Sequence, residues 1–119
     1  MLKIRILAIG EDKDHWVTEG IAHFTKLLSK YASAEFVPLP SPKSSASVSP
    51  DEIKKQEAVL FREKLTKGMT IALTDSGKSI DSRGFAKQIE RWQISSGGTV
   101  TFLIGGPFGL ETDLIKSCD

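Results

Sequence analysis

The sequence predicts an α/β domain with a mostly parallel sheet and helices on both faces, and three observations carry that prediction. Short aliphatic runs alternate with segments of helical period, in the order strand, helix, strand, helix, strand, helix, strand and the start of a fourth helix. The last strand, "TVTFLI", stays apolar after Thr101 without polar alternation, as a strand covered on two faces does. At 119 residues the chain is one domain's worth, so residues 1–119 are read as a single domain.

The elements follow in order. Leu2 to Ile9, "LKIRILAI", is β-rich and closed by Gly10. Asp14 is positioned to cap a helix in which Trp16, Gly20, Ile21, Phe24, Leu27, Leu28 and Tyr31 recur at three- and four-residue steps on one face. Trp16, like Trp92 later, is therefore expected in the core. "AEFVPLP", Ala34 to Pro40, reads as the second strand, and "SPKSSASVSP", Ser41 to Pro50, as a mobile loop. Ser49 as cap, Pro50 at the first helical position and Glu52 three residues after the cap start a helix that is expected to reach about Lys67. "MTIALTD", Met69 to Asp75, is the third strand. A third helix opens at Asp81 or Ser82, shows Phe85, Ile89 and Trp92 at i, i+4 and i+7, and ends at "SSGG". After the fourth strand, Leu110, Leu114, Ile115 and Cys118 form the stripe of a last helix, and that stripe is still running at Asp119.

The 16 basic and 15 acidic side chains nearly cancel, which excludes the strongly basic balance of a protein that coats nucleic acid. An RNA partner would meet a local patch. Lys54, Lys55, Arg62, Lys64 and Lys67 supply one on the second helix, but Glu52, Glu57 and Glu63 interleave with them, so a solvated face is the plainer reading. The single Cys118 and a start without an apolar signal region point to a reducing cytoplasm. No apolar run nears the roughly 20 residues of a membrane span. His15 and His23 are expected on the surface, and no metal site is expected.

In parallel sheets ligands bind outside the carboxyl ends of the strands, which singles out Asp75 to Ser79 and Gly105 to Gly109. "ALTDSGKS", Ala72 to Ser79, satisfies a relaxed phosphate-loop pattern. However, Ala72 and Leu73 lie inside the strand, and Ile80 and Asp81 separate Ser79 from the next helix. A tight turn built on Asp75 and Gly77, with Lys78 solvated, is favoured over a nucleotide site. "IGGPFG", Ile104 to Gly109, is not a dinucleotide fingerprint, since Pro107 removes an N–H that a pyrophosphate needs. Its glycines do allow close main-chain approach, and a ligand loop and a bare turn are about equally supported. Glu57 falls on the apolar stripe of Ile53, Leu60 and Phe61, and its expected place is the stripe's edge, stem packed and head in water.

Taken together, "LKIRILAIG", the tryptophan of the first helix, "KKQE", "LTDSGK", "FAKQIERW" and "FLIGGPFGL" resemble the RlmH family of SPOUT methyltransferases over essentially the whole chain. The resemblance implies a homodimer with a C-terminal trefoil knot that binds S-adenosylmethionine and methylates N3 of a pseudouridine in large-subunit ribosomal RNA. It implies neither a DNA nor a membrane partner. Carried onto this sequence, Leu73, Gly105 and Gly106 match positions that line the cofactor pocket. Family members continue further, with segments that thread the knot and contain the residues near the target base, so the expectation is a knot incomplete within 119 residues and a catalytic base that the resemblance leaves unassigned. A noncatalytic remnant that dimerises or binds RNA is the contrasting expectation.

Overall fold

The computed structural model describes residues 1–10, 14–42 and 47–119. Four strands, β1 (Leu2–Ile9), β2 (Ala32–Leu39), β3 (Met69–Leu73) and β4 (Thr99–Ile104), form one sheet in the order β2-β1-β4-β3, with every neighbouring pair parallel. Helices α1 (His15–Leu28), α2 (Pro50–Lys64) and α3 (Ser82–Ser95) make the three connections, and α4 (Thr112–Ser117) follows β4. Parallel strands cannot be joined by tight turns, so each crossover carries a helix that covers one face.

Alternation along the central strands sorts the two faces. Leu2, Ile4 and Ile6 of β1, with Val100 and Phe102 of β4, pack with Ile89 and Trp92 of α3. On the opposite face Leu7, Leu39 and Leu103 meet Ala58 and Phe61 of α2 and Leu110 and Leu114 beside and within α4. Helices thus lie on both faces, and β4 is buried from Val100 to Leu103, as its apolar run predicts. Trp92 is a core residue, with its ring edge-on to Phe85 at 6.0 Å and to Phe102 at 6.0 Å.

Several expectations are corrected. Strand β2 begins at Ala32 rather than Ala34, because the ladder with β1 runs from Leu2↔Ala32 to Ile9↔Leu39. Helix α2 stops at Lys64 rather than Lys67: Leu65 turns extended, at φ −69° and ψ 141°, and packs against the core under α2. Strand β3 ends at Leu73 rather than Asp75, where its pairing with Ile104 ends. Trp16 is not in the core. It is 75% exposed, and α1 has no fully buried residue, because the helix turns Val17, Ile21 and Thr25 inward and leaves Phe24 and Leu27 outside; Tyr31 lies beyond its end at Leu28 and is exposed as well. Two apolar hollows, of about 510 and 460 Å³, lie between α1, α3 and the sheet and share Ile6, Leu28 and Ile104. Of the loop expected over residues 41–50, residues 43–46 lie outside the described residues.

Candidate functional site

Strands β3 and β4 are neighbours, yet the chain leaves them toward opposite faces, β3 into α3 and β4 into α4. Loops that part in this way open a crevice above the strand ends. A cleft of about 550 Å³ occupies it, lined by Leu73 to Ser76 after β3, Ile104 to Leu110 after β4, Lys54 of α2, and Thr112 and Ile115 of α4. That volume is in the range of small-molecule sites, roughly 300–1,000 Å³.

The two loops fold as their sequences require. After Leu73 the chain makes a turn at Asp75 and Ser76 and runs on to Asp81, whose carboxylate caps α3 by accepting the Gly84 N–H at 2.7 Å. Lys78 and Ser79 are exposed in the non-helical stretch between. No N–H cradle opens a helix directly after this turn, so the phosphate-loop reading lacks its geometry.

The second loop is a closed turn. Gly109 N–H donates to the Gly106 carbonyl at 3.0 Å, and Gly109 takes φ +85°, a conformation that favours glycine. A Cβ on Gly105 would stand 2.8 Å from the Gly109 carbonyl carbon, and one on Gly106 would stand 2.6 Å from Glu57 Oε2. A side chain at 105 would run into the main chain of the turn, whereas one at 106 would have to displace the Glu57 carboxylate. Leu73 and Phe108 are about half exposed on the cleft, at 47% and 49%, and give apolar surface where a flat ring could rest.

Glu57 is where the sequence expectation fails. The residue is only 4% exposed, set on α2 beneath the glycine turn, and not at an edge with its head in water. Its Oε2 lies directly under Gly106, 2.6 Å from where a Cβ there would stand, while Oε1 has no partner. Burial pushes its pKa above the ordinary carboxylate range, and the Gly106 backbone N–H offsets part of that rise. The one available signal was a carboxylate on an apolar stripe; what sits above it depends on where the β4 loop returns.

Leu73, Gly105 and Gly106, singled out by resemblance, all line this one cleft. His15 stays at the surface, paired with Glu19 at 3.5 Å, and no cluster of three metal-ligating side chains occurs among the described residues. Among the same residues no helix is long and apolar enough to cross a membrane.

Residues 2–119 match the family described as predicted SPOUT methyltransferase. The chain belongs to the SPOUT methyltransferase family. Among relatives named ribosomal RNA large subunit methyltransferase H, that of Ruminiclostridium cellulolyticum is 30% identical, over 99% of this chain and 77% of its own length. The protein of that name from Bacillus cereus is 34% identical, over 97% of this chain and 75% of its own. The one from Cytophaga hutchinsonii is 33% identical, over 97% and 74%. The RlmH resemblance read from "LTDSGK" and "FLIGGPFGL" agrees with these similarities. This SPOUT chain carries its glycine turn at the parted ends of β3 and β4.

Proposed function

We propose that this single-domain SPOUT chain binds S-adenosylmethionine in the β3–β4 cleft and methylates large-subunit ribosomal RNA in the cytoplasm. The target that the RlmH resemblance implies is N3 of a pseudouridine, and the working form it implies is a homodimer. The observation that carries this reading is the convergence of Leu73, Gly105 and Gly106 on one cofactor-sized cleft in a chain matched by the family from residue 2 to 119.

The residues present suit the ligand. Apolar Leu73 and Phe108 offer faces for a purine, and the Thr74 and Ser76 hydroxyls and the main chain of the turn offer hydrogen bonds to its sugar and amino-acid parts. When bound, the sulfonium supplies an already activated methyl group. The protein is left to fix the donor's orientation and to exclude water, work for a rigid main-chain turn. The exposed apolar stripe of α1 is a surface suited to a second copy.

The test has two parts: calorimetric titration of S-adenosylmethionine into the 119-residue chain, then transfer of a tritiated methyl group to ribosomes that lack the modification. Saturable binding and label in large-subunit RNA are expected. Binding without transfer would favour the noncatalytic alternative, and no binding by a folded sample would sink the cofactor assignment.

A further inference from the structure

The least economical residue in the core is Glu57. Its neighbours Ala58 and Phe61 are buried and apolar, and Phe61 packs with Leu7, Leu103 and Leu114 on the same face of the sheet. An apolar side chain at 57 would continue that packing, whereas a carboxylate there is desolvated and keeps one oxygen, Oε1, unpartnered. Leaving a buried acceptor unsatisfied costs stability and returns none. Two basic side chains of the same helix pair with other carboxylates: Lys54 with Asp51 at 3.6 Å, and Arg62 with Glu111 at 3.2 Å. The other oxygen of Glu57, Oε2, lies against the glycine turn, 2.6 Å from where a Cβ on Gly106 would stand.

Glu57 does not line the cleft, whereas Gly106 does. We propose that Glu57 is a positioning residue for the ligand turn: from beneath, its carboxylate takes the Gly106 N–H and fills the space a Cβ would need, and so fixes how Gly105 and Gly106 face the cleft. The stability lost at position 57 is the cost of a main-chain turn held in one conformation before a ligand arrives. This inference rests on the cofactor reading for its consequence in binding, but not for the local contact itself.

The test compares the wild-type chain with Glu57→Gln, which keeps an accepting oxygen, and with Glu57→Leu, which removes it at similar volume. Glu57→Asp withdraws the oxygen by one methylene and serves as a second removal variant should Glu57→Leu not fold. Three readouts are taken on each: amide hydrogen exchange at Gly106, affinity for S-adenosylmethionine, and thermal unfolding. Glu57→Gln should keep Gly106 protected and affinity within about threefold of wild type. Glu57→Leu or Glu57→Asp should expose the Gly106 amide and weaken binding at least about tenfold. Glu57→Leu should meanwhile unfold no earlier than wild type, an outcome a purely structural role would not give. Wild-type exchange and affinity in the removal variants would overturn the proposal, and so would a Glu57→Gln chain as impaired as Glu57→Leu. If the wild-type chain bound no S-adenosylmethionine, the cofactor reading would fail, while exchange at Gly106 would still decide the role of Glu57.

Discussion

A methyl group added at position 106 would press on the Glu57 side chain from the helix below, 2.6 Å from its Oε2. The two positions therefore have to be read together. Gly106→Ala alone should destabilise the chain, and pairing it with Glu57→Ala should restore part of the loss by making room. The expected coupling in a double-mutant cycle by urea unfolding is about 1 kcal/mol or more, and additive losses would refute the contact. The pH dependence follows from the raised pKa of Glu57, whose first cause is burial. A carboxyl group that binds its proton more tightly when folded supports the fold below its unfolded pKa, and that support is lost as pH rises through the folded value. The stability of wild type relative to Glu57→Gln should therefore fall from about pH 4.5 upward, whereas a flat difference would show that the group is not desolvated. From the sequence Glu57 was visible only as an oddity. Its burial depends on a turn about fifty residues later folding back over it, and no local pattern encodes that.

At the level of elements, capping and periodicity are local physics, and they were legible. Ser49 accepts the Glu52 N–H at 3.2 Å and Pro50 opens α2, as "SPDE" suggests. Ser49→Ala should cost about 1 kcal/mol of stability, read as a shift of the urea midpoint with unchanged slope. No shift would mean that Pro50 and the first-turn carboxylates already fix the start. The boundaries that were missed were set by partners. Ala32 and Ser33 carry no strand signal of their own, yet they pair because Leu2 and Lys3 lie opposite them. Helix α2 ends at Lys64 because Leu65 leaves the helix for the core, three residues before Gly68. The strand order also had to come from the structure, and with it the reason for the site: only the placement of β4 beside β3 turns two loops into one cleft.

For the molecule as a whole, the sheet is unevenly covered. The α2 and α4 face holds the larger cluster of fully buried side chains, whereas the α1 and α3 face keeps two apolar hollows and the open stripe of Trp16, Phe24, Leu27 and Tyr31. The amphipathic period shows which side of α1 is apolar, but whether a neighbour covers it is not written in that period. A patch of this kind favours association of copies. The chain should sediment as a dimer, and Phe24→Glu with Leu27→Glu should return it to a monomer with its fold intact. A wild-type monomer at all concentrations would reject that use of the face. The two tryptophans make the same question optical. Trp16 stands in water on the open stripe while Trp92 is half-buried against Phe85 and Phe102, so Trp16 should emit to the red of Trp92 on the same side of the sheet. Replacing either with phenylalanine isolates the other, and iodide quenching of Trp16 alone then reports, without any label, when something has settled on α1.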